Sequence, residues 1–326
     1  MTVFHRNEKK EPLPPQLRGG VVAIGNFDGV HRGHRAVLDH ALELAAARDV
    51  PALVLTFEPH PRTVFRPEMP VFRITPASIK ARVLEAEGFN SVIEYPFDRD
   101  FSQRSAEDFV KSVLVDWLGA SAVVTGVDFH FGKGREGGPA YLMAAGKKHG
   151  FDVVLIDSFR DEGTEIISSS RIRDLLSQGD VAGAAGLLGY RYTVEAEVIG
   201  GQRLGRTLGY PTANMALPPE TDLKPGIYAV RFRRPDGSLH DGVASFGYRP
   251  TVTEDGAALL ETYLFDFSGD LYGETCSVSF FGHLRDELKF DGLDALVAQI
   301  KRDEEEARAL LSGVTPLGAL DSKIAF

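Results

Sequence analysis

The chain has 326 residues, 43% of them apolar and 25% charged, with a net charge of −10, which is length for about two globular domains, each able to bury a core. So acidic a chain repels phosphate backbones, and no local basic patch offsets this, so no nucleic-acid partner is expected. Its lone cysteine, Cys276, excludes an intrachain disulfide and a thiolate zinc cluster. Residues 1–11 are polar with no signal-peptide character, and no apolar run reaches the roughly 18 residues that span a bilayer. A cytoplasmic chain without a membrane partner is expected.

Residues 1–19, with Pro12, Pro14, Pro15 and Gly19-Gly20, read as a loose leader. Short apolar runs follow at Val21–Gly25, Ala52–Phe57, Ser91–Glu94, Ala122–Gly126 and Asp152–Ile156. Between them, Leu38, Ala41, Leu42 and Ala45, and the apolar positions of Ser105–Leu118, recur at helical spacing. Continuous apolar strands separated by helices predict an α/β doubly wound domain, a parallel sheet covered on both faces, over residues 20–189. Asp180–Leu188, ending at Gly189, reads as its last helix.

The period then changes to two. Tyr192–Ile199, Gly226–Phe232, Leu239–Ser245, Leu259–Phe265 and Thr275–Phe281 alternate as strands. Turn residues separate them at Pro235-Asp236-Gly237, Glu254-Asp255-Gly256 and Ser268-Gly269-Asp270. Five or six such strands predict a closed antiparallel β-barrel domain over residues 190–326. Cys276, alternating with Val278 and Phe280, reads as a buried, inert thiol. A C-terminal helix from Leu293 to Leu311, with Asp291 as its N-cap, completes the domain.

Two segments carry chemistry in the first domain. Val21–Gly25 runs into Asn26-Phe27-Asp28-Gly29-Val30-His31-Arg32-Gly33-His34, a loop that opens at the ligand crevice of a doubly wound sheet. A helix N-terminus there offers free N–H groups to phosphates, His31 and His34 share its first turn, and Gly33 admits a nucleotide close to the backbone. A surface histidine pair, or a metal site completed by His60, is the plainer alternative. Ile167-Ser168-Ser169-Ser170-Arg171-Ile172-Arg173 joins hydroxyls and a guanidinium at a second loop-to-helix junction, a fit for pyrophosphate. An N-cap serine followed by solvated arginines is the alternative there.

H-x-G-H with I-S-S-[ST]-x-x-R resembles the nucleotidylyltransferase superfamily. Gly25–His34, Thr56–Pro61, Asp128–Arg135 and Ser168–Arg173 resemble one branch of it, the prokaryotic bifunctional riboflavin kinase/FMN adenylyltransferases, or FAD synthetases. The likeness spans about residues 20–310. It departs from that pattern at Gly137-Gly138-Pro139, where many relatives carry an acidic residue after the glycine. The barrel half adds Gly205-Arg206-Thr207-Leu208-Gly209-Tyr210-Pro211-Thr212-Ala213-Asn214, which resembles the kinase module's P-T-A-N motif, and Glu261 in Glu261–Phe267.

The resemblance implies a nucleotidylyltransferase domain followed by a riboflavin kinase barrel, taking ATP, riboflavin and FMN with Mg²⁺ and yielding FAD. It implies His31 and His34 as catalytic in the first domain, with ATP at Gly25, Asn26, Phe27, Gly33, Ser168, Ser169, Ser170 and Arg173. In the barrel it implies ATP at Gly205, Gly209, Pro211, Thr212 and Asn214, Mg²⁺ at Thr212 and Asn214, and Glu261 as base. Phe57, Pro59, His60, Pro61, Asp128 and Phe129 are flavin candidates, because an isoalloxazine ring wants apolar faces with a few polar contacts. Read without the resemblance, Thr212 and Asn214 are turn residues, Glu261 is a solvated strand carboxylate, and Asp266 competes with it. A barrel that only binds flavin, and a different phosphorylated acceptor for the first domain, are the rival functions. A homo-oligomer is compatible with all of these.

Overall fold

The computed structural model describes residues 2–5, 12–157, 159–163, 165–200, 210–249 and 257–326; Gly205, Gly209 and the predicted turn Glu254-Asp255-Gly256 lie outside them. Packing divides the chain into two compact units, Met1–Val71 with Lys80–Ser168, and Phe72–Ile79 with Ser169–Phe326.

The first unit is built on β1 (Thr2–His5), β2 (Val21–Ile24), β3 (Ala52–Glu58), β4 (Ser91–Pro96), β5 (Ala122–Gly126) and β6 (Asp152–Ile156). All neighbours pair parallel, in the order β1-β4-β3-β2-β5-β6. Among the described residues its α-helices are α1 (Arg32–Arg48), α2 (Pro61–Phe65), α3 (Ala77–Glu87), α4 (Arg99–Ser102), α5 (Ala106–Phe109) and α6 (Pro139–His149). Every residue of β2 is buried, so both faces of the strand are covered and its run of Val, Ala and Ile is explained. Helix α1 buries Val37, Leu38, Ala41 and Ala45, and each fully buried Leu or Val contributes about 1.5–3 kcal/mol.

Strand order reverses at β2, since the chain steps outward from β2 to β3 and β4, then returns to place β5 on the other side of β2. In an open α/β sheet that reversal leaves a crevice outside the carboxyl ends of the two strands. The loops after β2 and β5 therefore flank a natural ligand site, with the loop after β3 beside them.

Three expectations are corrected here. The described parts of the leader are ordered, because Thr2–His5 adds a parallel edge strand to β4, and Leu13 and Leu17 belong to the core. Period-3.6 reasoning could not see a four-residue strand set apart by prolines. The helix expected over Ser105–Leu118 widens after Phe109 into a π-helix at Val110–Trp117. Its buried positions are Val110, Val113, Leu114 and Trp117. The third correction concerns Asp180–Leu188, which packs with the barrel in the second unit.

That unit holds α7 (Ser169–Ser177), α8 (Val181–Leu188) and strands β7 (Thr193–Ile199), β8 (Thr212–Leu217), β9 (Gly226–Arg233), β10 (Leu239–Arg249), β11 (Ala257–Leu264) and β12 (Thr275–Arg285). Then come α9 (Leu293–Gly313) and α10 (Ala319–Ala325). Among the described residues the six strands close into an antiparallel barrel, β10-β11-β8-β7-β12-β9. Alternation sends Met215, Phe232, Phe246, Leu260, Val278 and Phe280 to a fully buried interior. On the outer side Ala229, Phe265 and Phe281 pack with Ala307, Leu311 and Ala325. Gly292, not Asp291, is the N-cap of α9; its φ of 127° is glycine territory.

Helix α10, which no periodicity announced, is fastened by Asp321. Its buried carboxylate accepts from the Arg191 backbone N–H at 2.7 Å, the Arg191 guanidinium at 2.6 Å and the Leu317 N–H at 2.9 Å. Cys276 is buried as expected, and burial pushes its thiol up to about 12, which removes thiolate reactivity at neutral pH.

Candidate active sites

The turn from β2 into α1 is strongly bent. Phe27, Gly29 and Val30 take φ of 46°, 91° and 38°, a region that costs non-glycine residues about 1–3 kcal/mol each unless the surroundings enforce it. Phe27 and Val30 are buried, as is Asp28, so packing holds the bend. Gly25 is needed because a Cβ would stand 2.9 Å from the Phe27 ring, and Gly33 because a Cβ would stand 2.9 Å from the Ile167 carbonyl oxygen. With those clearances the imidazoles of His31 and His34 stack at 3.6 Å between centroids, tilted by 17°, and the Phe27 ring meets His34 edge-on at 5.3 Å.

His31 is the N-cap of α1, with no side-chain capping bond. Burial, then His31 and Lys80, hold the His34 imidazole well below the usual histidine range. His34 Nδ1 has no hydrogen-bond partner among the described residues. The turn thus presents a neutral imidazole, a stacked partner and the amide end of a 17-residue helix. That set fits an anionic phosphate chain. The plainer reading as a solvated surface pair does not fit, since His31 is 4% exposed. Nor does the metal reading, because among the described residues no three His, Cys, Asp or Glu side chains cluster as ligands. His60 instead caps α2, its Nδ1 accepting from the Arg62 N–H at 3.2 Å.

The remaining first-domain candidates separate. Pro59, His60 and Pro61 follow β3, and Asp128 and Phe129 follow β5, so both groups emerge at the carboxyl edge. Asp128 is exposed, and Phe129 stacks on Phe131 at 5.5 Å. Phe57 is different: its ring lies in the core among Tyr95, Phe97, Phe101 and Phe109. Ser168 ends the first unit, while Ser169, Ser170 and Arg173 open α7 in the second, where Arg173 Nε donates to the Phe72 carbonyl at 2.7 Å.

In the barrel, placement comes from register. Glu261 of β11 stands directly opposite Asn214 of β8, and Tyr263 opposite Thr212. Residues opposed across antiparallel strands have Cβ atoms about 4.5–5.5 Å apart on the same face. The alternate pairs, Leu260 with Met215 and Thr262 with Ala213, face the interior. Thr212, Asn214 and Glu261 therefore share the outer face. Asn214 Nδ2 donates to the Thr212 carbonyl at 3.2 Å. Thr212 and Asn214 line a cavity of about 230 Å³ with Pro211, Phe267, Asp270 and Tyr272. Asp266, the rival to Glu261, is held by Arg308 at 2.9 Å, and that hydrogen bond keeps its carboxyl below the usual range.

Comparison with known proteins decides the family. Residues 13–171 match the family model described as FAD synthetase, and residues 188–311 that described as riboflavin kinase. Proteins named bifunctional riboflavin kinase/FMN adenylyltransferase are 41% identical in Pseudomonas fluorescens and 39% in Escherichia coli K12, each over 91% of this chain and 95% of the relative. The Haemophilus influenzae protein of that name is 40% identical over 91% of this chain and 96% of its own length. The chain belongs to the bifunctional riboflavin kinase/FMN adenylyltransferase family. A crystal structure described as a macrolide-efflux protein from Streptococcus pneumoniae shares the fold of this family member, with a TM-score of 0.81 and 31% identity, over 94% of this chain and 99% of that one. Among the described residues of this family member no helix is long and apolar enough to cross a membrane.

The departure from the family pattern at residues 137–139 has a local account. A Cβ on Gly137 would stand 2.6 Å from the Phe131 ring. Gly138 is the N-cap of α6 and gives it no side-chain bond. One residue of the first site was missed by sequence reasoning, Lys80, whose ammonium is fully buried behind the turn. Its signal was present, since Lys80 lies in phase with Val83 and Leu84, both at 0% exposure, and a lysine on an apolar helix face needs a partner.

Proposed function

We propose that the chain makes FAD in two ATP-dependent steps, phosphorylating riboflavin on the barrel and adenylylating the resulting FMN in the α/β unit. Each site carries what its nucleophile lacks. Riboflavin's primary hydroxyl hardly ionises at neutral pH. Glu261 takes its proton as the oxygen bonds to the γ-phosphorus and ADP leaves, a contribution of roughly 10²–10⁴ in rate. Thr212 and Asn214 hold the ATP phosphates together with Mg²⁺, and their hydroxyl and amide oxygens are hard donors suited to an ion that keeps several waters. When bound, Mg²⁺ neutralises charge on the transferred phosphoryl group.

In the second step the nucleophile is the FMN phosphate, already an anion. An FMN oxygen bonds to the α-phosphorus of ATP as pyrophosphate leaves, so no base is required and stabilisation of charge dominates. His31 and His34 supply donors at the helix end, Gly25, Asn26, Phe27 and Gly33 bring backbone to the nucleotide, and Ser168, Ser169, Ser170 and Arg173 are assigned to pyrophosphate. Pro59, His60, Pro61, Asp128 and Phe129 are assigned to the flavin.

The observation that carries this reading is the β8–β11 register, which sets Glu261 opposite Asn214 on the outer face, where Asn214 and Thr212 line a cavity. The chain works in the cytoplasm on small molecules. The test is incubation with riboflavin, ATP and Mg²⁺, following flavins by chromatography. FMN followed by FAD is expected. Untouched riboflavin with adenylylated FMN would reduce the barrel to a binding module, and inert flavins would sink the acceptor assignment.

A further inference from the structure

The turn that bears the histidines is held from behind by Lys80. Its Nζ donates to Glu58 Oε1 at 2.7 Å, to Thr56 Oγ1 at 2.8 Å and to the Asn26 carbonyl at 3.4 Å. Three acceptors match the three N–H bonds of an ammonium, and Glu58 balances the charge, which is what makes full burial of a lysine tolerable. Thr56 Oγ1 passes its own proton to the same Asn26 carbonyl at 3.1 Å. Two donors thus converge on the peptide that opens the turn, immediately before Phe27 and Val30 enter positive φ.

We propose that Lys80 is a positioning residue for adenylyl transfer: by clamping the Asn26 carbonyl it fixes the bent turn that aims His31 and His34 at the nucleotide. This rests on the assignment of those histidines to that reaction. The lysine acts on His34 a second way. The titratable and charged groups that bear on His34 are His31 from the same turn and Lys80 from α3, with Glu58 of β3 behind the lysine. Both neighbours favour the neutral ring, so removing the ammonium lets His34 take up a proton at higher pH.

The test compares Lys80→Met, Lys80→Arg and His34→Ala in the full chain. FAD formation from FMN and ATP is measured across pH, thermal melts of the same samples report on folding, and riboflavin phosphorylation shows that the barrel is undisturbed. Lys80→Met should lose on the order of 10²-fold in kcat with little change in KM for FMN, the scale on which a displaced catalytic group acts. Its acid limb should move to higher pH, phosphorylation should persist, and Lys80→Arg should recover most of the rate. A parental rate with a parental acid limb in Lys80→Met overturns the proposal. If Lys80→Met does not fold, Thr56→Val decides: a several-fold loss of kcat at an unchanged melting temperature supports the clamp, and a parental kcat overturns it. An active His34→Ala would sink the site assignment itself, whereas an inactive one beside a parental Lys80→Met sinks only the role of Lys80.

Discussion

The two sites are built by opposite means. At the β2–α1 turn the backbone does the placing: three of the four successive residues 27–30 take positive φ, two glycines make room, and a buried lysine braces the bend. On the barrel the backbone is ordinary antiparallel ladder, and Glu261 reaches Asn214 only because β11 pairs with β8 in one register. A turn fails by relaxing, which misplaces groups by degrees. A ladder fails by slipping, and a slip of one residue would turn Glu261 into the interior and Leu260 out. The same difference separates the chemistries proposed for them, cations and amides for an anionic nucleophile against a carboxylate for a neutral one.

The largest expected effect breaks that pairing most directly. Glu261→Ala should lower riboflavin phosphorylation by roughly 10²–10⁴ while FMN is still converted to FAD, as read by chromatography; parallel loss of both activities would contradict separate sites. Next, His31→Ala should cost adenylylation about 10²–10³ in kcat, the scale of removing one charge-stabilising donor, and leave FMN to accumulate from riboflavin.

A smaller effect sharpens the contrast in environment. His34 is neutral in the folded chain at a pH where a free histidine is half charged, because burial and its neighbours hold its pKa below the ordinary 6.5. The stability this contributes is complete above that value and is lost as pH falls from it through the folded pKa, by at most about 1.4 kcal/mol per pH unit. Thermal melts across that window should show the loss in the parent and its absence in His34→Ala. The smallest effect is Gly138→Asp, which should stabilise α6 by a few tenths of a kcal/mol through a restored N-cap, with no change in either rate.

The asymmetry also explains what was legible in the sequence. The first site is contiguous: strand, bent loop, H-x-G-H and helix follow one another, so order along the chain was enough. Lys80 could be suspected from its phase in α3, but its partners Asn26, Thr56 and Glu58 come from two other segments. In the barrel, Thr212 and Asn214 looked like turn residues because a six-residue strand, β8, offers too few positions for alternation to speak. That Glu261 faces Asn214 is a fact about register, which depends on loop geometry and on which strands become neighbours. That Phe57 packs in the core was not legible, because a strand-end aromatic looks the same whether it faces ligand or core. Helix α10 was silent because one side of its short span is held by charge, through Asp321, rather than by an apolar stripe.

Asp321 has one more consequence. Arg191 stands just before the barrel's first strand, and Asp321 lies in α10, the helix that follows the barrel and α9, so this ion pair fastens the entry of the barrel to the helix that comes after it. The entry of the barrel and the helix that follows it are thereby joined by a non-covalent weld. New termini could be cut into one of the barrel's exposed turns, with the old ones joined by a short peptide, and the wall bearing Thr212, Asn214 and Glu261 would keep its pairing.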